Sequence, residues 1–455
     1  MNLFSLNERK SSVKRILIYP NITYQQDLEK DSYIQVIKQQ IKLLNDIRDD
    51  LWFYSISPEA IPSLAFSNVT QLKMKVPTYP QTMRTHFDVF AIQNIISHGY
   101  DFDLVMCHLP EHASWLKNVM YNVTHFRPPF MGYCHWFDLD GVVAGPKDTF
   151  LQNIFGLLEY HICYLNTQHQ KDMVLNQASE YFNVKQLSRL DEILTVQHLG
   201  VAENDIIGES KEYEKIIVFN HRPVAYKHFN KFMSLMDKLA EIRNDFKVWI
   251  PLLEKPNRDY VFTTKAEKKE YYKLLQKCAV GFSPKQKYGG WSVATTDGLM
   301  NGVPYIMYHD TYYNELWDEA DFFKTDEQAL DLLNIYLSDP SYREEMSYKA
   351  RKHLFQNLIY KNEMIDMNDT MNMLIEDTHT VKETDTFKKL VQFIKKKGRV
   401  KGEKGGVEKI EIMHYLGWGR GIPWTPYRRA LAKHPNITEE LTETPRYFYE
   451  NSTTI

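Results

Sequence analysis

Lys215-Ile216-Ile217-Val218-Phe219-Asn220-His221-Arg222-Pro223-Val224-Ala225-Tyr226-Lys227 is the stretch on which the reading of this chain turns. Its apolar run, Ile216–Phe219, is too short for a helix and reads as a buried strand. Phe229, Phe232, Met233, Met236 and Leu239 then recur at helical spacing. The loop between strand and helix holds an arginine and a lysine five residues apart. A planar guanidinium fork and a point-charge ammonium at that spacing can converge on one anion, and a pyrophosphate suits both. The competing reading is a solvated basic loop.

The alternation continues outward from this stretch. Val248–Leu253, Ala279–Phe282 and Pro304–Tyr308 read as strands, with a Lys/Glu-rich helix near residues 265–277 and one or two long helices across 341–378. Upstream, Ile16–Tyr19, Leu51–Ile56, Leu104–Cys107, Met131–Trp136 and His161–Leu165 are strand candidates. A helix begins near Asp31 with Ile34, Ile37, Ile41 and Leu44 on one face. Such βα alternation predicts α/β architecture: two Rossmann-like domains, each a parallel sheet covered by helices. The expected partition is 1–205, 206–378 and a small third domain at 384–455.

A chain of 455 residues is long enough for that partition. Its net charge of −3 conceals an uneven split. Residues 381–455 hold 15 Lys/Arg against 9 Asp/Glu, and the remainder holds 40 against 49. A basic tail on an acidic body points to a polyanion partner for the tail. The four cysteines, Cys107, Cys134, Cys163 and Cys278, lie in or beside apolar runs without CxxC spacing, which predicts buried thiols. The opening MNLFSLNERKSS lacks an apolar signal core. No apolar run approaches the roughly 18–20 residues of a membrane span. The expected setting is cytoplasmic, with no membrane partner.

A second motif is Tyr288-Gly289-Gly290-Trp291-Ser292-Val293-Ala294-Thr295-Thr296-Asp297-Gly298-Leu299-Met300-Asn301-Gly302-Val303-Pro304. It reads as a glycine turn, a short helix, and a turn into a strand. Glycine lets the backbone approach a ligand. Amides opening the helix near Ser292 can hold phosphate, and Asp297 can accept hydrogen bonds from ribose hydroxyls. A plain βα turn with a buried helix is the bland alternative.

Together the two motifs resemble the C-terminal half of GT-B-fold glycosyltransferases, above all retaining family 4. The match is best over residues 215–310 and reaches the first domain only in outline. The resemblance implies a nucleoside-diphosphate-sugar donor, a UDP-sugar first, bound by Arg222, Lys227, Gly289, Gly290, Trp291, Ser292 and Asp297. Asp297 stands where the family has its second, ribose-binding glutamate. Gly289 replaces the first glutamate, a departure from the pattern. No DxD or metal-ligand cluster is obvious in the two donor motifs, so no cofactor and no metal are expected. In the first domain, His135 and Asp138 follow the strand Met131–Cys134. Similar enzymes contact the donor sugar with a histidine there, so both residues join Arg222 and Lys227 as catalytic candidates. His108 ends the preceding strand and reads as a core histidine or an acceptor-side residue.

Residues 384–455 read as three helices and a hairpin. The helices are Thr384–Lys397, Val407–Leu416, and a third capped by Thr425 with Pro426 at its first position. Ile437–Leu441 and Arg446–Tyr449 can pair as a wing. This order resembles winged-helix DNA-binding domains, with Arg420, Thr425, Arg428, Arg429 and Lys433 facing DNA. A sugar transferase joined to a DNA reader resembles bacteriophage enzymes that glycosylate 5-hydroxymethylpyrimidines in viral DNA. Trp136, Phe137 and Trp291 are candidates for stacking on a flipped base. Two other readings stay open: a transferase of cell-surface glycan or lipid precursors, and a non-enzymatic DNA-binding protein with a degenerate transferase body.

Overall fold

Ile16, Leu17, Ile18 and Tyr19 are all but inaccessible to solvent, and the strand that carries them sits at the centre of the first sheet. The computed structural model describes residues 13–21, 32–58, 64–74, 87–97, 102–124, 127–134, 147–202, 213–264, 267–286, 290–379, 385–397, 407–408, 437–440 and 446–449. The first α/β stretch runs β1 (Lys14–Tyr19), α1 (Ser32–Ile47), β2 (Leu51–Pro58), β3 (Val69–Met74), α2 (Val89–Ser97), β4 (Leu104–Cys107), α3 (Pro110–Thr124), β5 (Phe130–Tyr133), α4 (Lys147–Leu157), β6 (Ile162–Leu165), α5 (Gln168–Ala178), α6 (Val184–Ile193) and β7 (Leu194–Val196). The sheet order is β3-β2-β1-β4-β5-β6-β7. The order reverses between β1 and β4, both of which pair in parallel. On α1 the face made by Ile34, Ile37, Ile41 and Leu44 is buried, as the helical spacing requires.

The second stretch repeats the pattern. It runs β8 (Glu214–Val218), α7 (Phe229–Ile242), β9 (Lys247–Trp249), β10 (Val261–Phe262), α8 (Lys268–Gln276), β11 (Cys278–Ser283), α9 (Val293–Met300), β12 (Tyr305–Tyr308), α10 (Thr311–Leu316) and β13 (Asp321–Phe323). Its parallel sheet has the order β10-β9-β8-β11-β12-β13, with the reversal between β8 and β11. Three helices follow: α11 (Asp326–Ser338), α12 (Pro340–Asn357) and α13 (Tyr360–His379). Thr325 and Gln328 form a capping box at the start of α11, and Asp339 caps α12 ahead of Pro340. These are two Rossmann-like sheets, the architecture expected from the sequence. The strand expected at Val248–Leu253 stops at Trp249, because the chain turns there and Leu253 N–H donates to the Ile250 carbonyl at 3.1 Å.

By contacts the chain forms two compact units. One holds Met1–Tyr133, Gln152–Ile162 and Met367–Ile455; the other holds Cys134–Leu151 and Cys163–Asp366. This grouping differs from a partition by sequence position. Within the first unit, the Arg48 guanidinium pairs with Asp50 and also donates to Asn372 and Asn368 of α13, which ties that late helix to an early loop. All four cysteines are buried thiols. Among the described residues no helix is long and apolar enough to cross a membrane.

The C-terminal stretch contains α14 (Asp385–Lys397), β14 (Val407–Glu408), β15 (Ile437–Glu440) and β16 (Arg446–Tyr449). Leu390, Phe393 and Ile394 of α14 are buried. The expected pairing of the last two strands is present and antiparallel, from Ile437–Tyr449 to Glu440–Arg446. The expected second helix is corrected at its start. Val407 and Glu408 pair with Tyr447 and Arg446 as an edge strand, so backbone pairing takes those residues from a helix. The expected third helix, with Thr425, Arg428, Arg429 and Lys433, and the expected turn with Arg420 lie outside the described residues.

One packing detail ties the second sheet to α9. The Tyr305 ring fills a slot that exists because Gly281 of β11 and Gly298 of α9 lack side chains. A Cβ added at either would lie 2.2 Å or 2.1 Å from the ring. Gly281→Ala therefore overpacks the core, at an expected cost of about 1–3 kcal/mol. A Cβ at Gly290 meets no described atom within 4 Å, so Gly290→Ala should change stability by less than about 0.5 kcal/mol. Denaturant melts of the two variants check this, and equal midpoints would contradict the slot.

Candidate functional site

In doubly wound sheets, ligands bind at the carboxyl ends of the strands that flank the order reversal, where adjacent loops diverge and leave a crevice. In the second sheet those strands are β8 and β11. The loop after β8 carries Arg222 and Lys227, and the segment after β11 leads through Gln286 to the glycine turn and α9. Topology thus brings both sequence motifs to one place.

The β8 loop closes with a single 3₁₀ turn, Ala225–Lys227, and then His228 in the left-handed region at φ 49° and ψ 34°. This turn folds Lys227 inward. Its Nζ donates to Gln286 Oε1 and lies 5.5 Å from the centre of the Tyr226 ring. Arg222 is exposed at the same loop. Burial, then the nearby positive charge of Arg222, pushes the Lys227 ammonium down to about 8. Beside them His221 is buried, and its Nε2 has no partner among the described residues. Burial and then the Lys227 charge push its imidazole down to about 3, so it is neutral at physiological pH. Two cations and a neutral ring are concentrated here with no carboxylate partner among the described residues, a setting that favours an incoming anion.

Hydrogen bonds connect the two motifs. Gln286 Nε2 donates to the Tyr313 hydroxyl at 2.7 Å, Gln286 N–H donates to the Tyr312 hydroxyl at 2.9 Å, and Tyr313 donates to the Pro284 carbonyl at 3.0 Å. Thr295 Oγ1 sits between Ser283 Oγ at 2.6 Å and Ser292 Oγ at 2.7 Å. Ser292 also caps α9 by accepting the Thr295 N–H at 3.3 Å. A second set fixes β8 against α9. Asn220 Nδ2 donates to the Ala294 carbonyl at 2.6 Å and to the Tyr271 hydroxyl at 2.9 Å, while the Tyr305 hydroxyl donates to Asn220 Oδ1 at 3.0 Å. Burial holds the Tyr271 and Tyr305 phenols well above their ordinary range, and the half-buried Asp297 carboxylate adds to this. Fully bonded polar networks of this kind fix the loops they join.

The sequence motifs fall as follows. Arg222, Lys227, Ser292 and Asp297 are gathered around the β8–β11 reversal. Gly290 faces open space, which leaves room for a ligand. Trp291 lies 5.2 Å from His198, ring centre to ring centre. His198 in turn faces Glu315 at 3.6 Å, and Glu315 accepts the amides of Gln168 and His169 at the start of α5. Burial opposes ionisation of Glu315, but bonds from His198, His169 and Gln168 hold it below the usual carboxylate range. His108 is 1% exposed, bonded to the Tyr133 carbonyl at 3.1 Å and pushed down to about 4 by burial, which suits a core histidine. His135, Asp138, Trp136, Phe137 and Gly289 lie outside the described residues. Asn220, Gln286, Thr295 and Tyr313 were missed by motif reasoning. Asn220 and Gln286 stand just past apolar strands and Thr295 and Tyr313 lie inside α9 and α10, and residue type and spacing singled out none of the four. Among the described residues no group of three or more His, Cys, Asp or Glu is arranged to hold a metal ion.

No family model and no curated protein matches the chain. Solved structures do match. A glycosyltransferase from Rickettsia africae superposes with a TM-score of 0.60 at 11% identity, over 80% of this chain and 99% of that one. The chain has the GT-B fold. Anabaena HepE, solved with UDP, gives 0.57 at 10% identity over 79% and 100%. S. aureus TarM, solved with fondaparinux, alpha-GlcNAc-glycerol and UDP, gives 0.50 at 15% identity over 62% of this chain and 59% of TarM, so this GT-B chain spans under three-fifths of TarM's length.

The Lys227 ammonium is the most exacting quantity at the site. It titrates near 8 in the folded chain against an ordinary 10.5, so the unfolded chain binds more protons between those values. Burying Lys227 therefore costs stability below pH 8, and the cost fades as pH rises towards 10.5. Lysine-selective ¹³C labelling should give a midpoint near 8 for Lys227, moving upward in Arg222→Ala. A midpoint near 10.5 in the unaltered protein would contradict the placement.

Proposed function

We propose that this protein is a glycosyltransferase that takes a sugar from a nucleoside-diphosphate sugar, a UDP-sugar in the first instance, and passes it to an acceptor hydroxyl. The observation that carries this reading is the paired cation loop at the β8–β11 reversal of a GT-B fold. As the sugar–phosphate bond breaks through an oxocarbenium-like state, negative charge grows on the departing diphosphate. Arg222 and Lys227 are fixed partners for that charge, and the amides opening α9 add to them. Asp297 receives the ribose hydroxyls. The acceptor hydroxyl attacks from the face the diphosphate leaves, and a phosphate oxygen takes its proton. Retention of configuration follows from the resemblance to family 4. His135 and Asp138 stay the candidates for the sugar side, and no metal is required.

For the acceptor, the charge split of the sequence favours a polyanion, and the resemblance to phage enzymes points to DNA carrying 5-hydroxymethylpyrimidines. Such bases offer the hydroxyl that ordinary pyrimidines lack. A basic segment with Arg420, Arg428, Arg429 and Lys433 supplies sequence-tolerant attraction to phosphates. The chain then works in the cytoplasm, that of the host for a phage enzyme. A second reading, transfer to a cell-surface glycan precursor, draws on the likeness to TarM, whose solved complex contains alpha-GlcNAc-glycerol.

Incubation of hydroxymethylated and plain duplexes with several nucleotide sugars, read by nucleoside mass spectrometry, should give a glycosylated nucleoside only from the hydroxymethylated duplex, and undiminished in EDTA. Arg222→Ala and Lys227→Ala should each lower turnover by about 10²–10³-fold, the scale for losing one fixed oxyanion partner. Donor hydrolysis without DNA product moves the acceptor to the second reading. No hydrolysis of any donor removes the enzyme reading.

A further inference from the structure

A cavity of about 550 Å³ opens within the second unit and is lined in part by Gln286, the partner of Lys227. Its polar lining is His169, His228, Lys231, Lys285, Gln286 and Asp310. Gln286 is the shared wall, since its side chain is already committed to Lys227 and Tyr313. The cavity therefore adjoins the paired cations without using them. It belongs to neither sequence motif.

Its charge is one-sided. Two lysines face a single carboxylate, Asp310, whose side chain caps α10 by accepting the Thr311 N–H at 2.9 Å. Lys285 lies 5.3 Å from the centre of the Tyr308 ring, a cation–π contact that steadies the ammonium at the rim. His228 starts α7 in a left-handed conformation and gives that helix no side-chain cap. The positive end of a fourteen-residue helix therefore opens beside Lys231. His228, Lys231 and Lys285 all line the cavity, and burial, then the charges of the two lysines, lowers the His228 imidazole.

We propose that this cavity binds a phosphate group, supplied by the backbone of the acceptor strand, and so seats the acceptor beside the donor diphosphate. Two exposed ammonium groups at the cavity and an uncapped helix N-terminus match a tetrahedral anion better than a neutral sugar. The volume accommodates a phosphodiester with part of its sugar. The identity of the strand rests on the DNA reading above, whereas the phosphate chemistry stands on the cavity alone.

Calorimetry on the full-length chain tests this, with inorganic phosphate titrated in the presence of excess UDP so that the Arg222–Lys227 loop is already engaged. Lys231→Gln/Lys285→Gln should weaken phosphate binding by about tenfold or more. Asp310→Asn, which keeps the helix cap and removes the one opposing charge, should tighten it by about two- to fivefold. UDP affinity should stay within about threefold in both variants, while Arg222→Ala lowers it. A hydroxymethylated duplex should displace the phosphate, and the same duplex with methylphosphonate linkages should not. Phosphate binding that is absent, or equal in all three proteins, overturns the proposal. A parallel loss of UDP affinity overturns it too, since the cavity would then be part of the diphosphate site. Phosphate that no duplex displaces overturns the backbone assignment. Failure of UDP to bind the unaltered protein strikes the transferase reading and leaves the phosphate arm readable through the lysine and aspartate variants.

Discussion

Arg222 and Lys227 repel each other in one short loop, and nothing in the described structure places a carboxylate between them. Burial worsens the repulsion by stripping water from Lys227, which is why its ammonium is held near 8 rather than 10.5. A fold keeps such an arrangement only if the surrounding bonds leave the loop no cheaper conformation, or if an anion relieves it. The surrounding bonds are visible. The 3₁₀ turn and left-handed His228 close the loop, and Gln286 holds the ammonium from the neighbouring strand's end. The relief is the part an anionic ligand would supply. A diphosphate carries its charge at the scale of this loop and gains more of it as a glycosyl bond breaks.

The core exists in a form that serves this loop. Gly281 and Gly298 leave a slot for the Tyr305 ring, the ring delivers its hydroxyl to Asn220, and Asn220 binds the first turn of α9. Packing of one buried aromatic thus sets the spacing between the cation loop and the helix that carries Ser292 and Asp297. The Ser283–Thr295–Ser292 hydroxyl chain does the same from β11. Each link is a satisfied hydrogen bond in a buried setting, so removing one partner leaves another unpaired and costs more than the bond itself contributes. Preorganisation at the reversal of the sheet therefore comes from residues that never need to touch a ligand.

Much of this was legible in the sequence because periodicity reports burial. The apolar runs at Ile16–Tyr19, Leu104–Cys107 and Ile216–Phe219 stand alone between amphipathic stretches, and each became a central strand. Short strands such as Leu194–Val196 and Asp321–Phe323 carry too few residues for any period to register, and their place is set by pairing with neighbours. Arg222, Lys227, Ser292 and Asp297 could be picked out by residue type and spacing. Asn220, Gln286 and Tyr313 could not, because their roles come from contacts across 27 to 85 residues of chain. The start at Val407 read as helix, yet two residues pair with β16, since a strand partner beyond the local window overrode the local pattern.

The central claim is that the loop after β8 grips a departing diphosphate. A crystal structure of the full chain with UDP tests it most directly. The account predicts phosphate oxygens within hydrogen-bond reach of both Arg222 and Lys227 Nζ, with the ribose towards Asp297. UDP bound elsewhere, or a cation loop that still points only at Gln286 in crystals grown at saturating UDP, would contradict it.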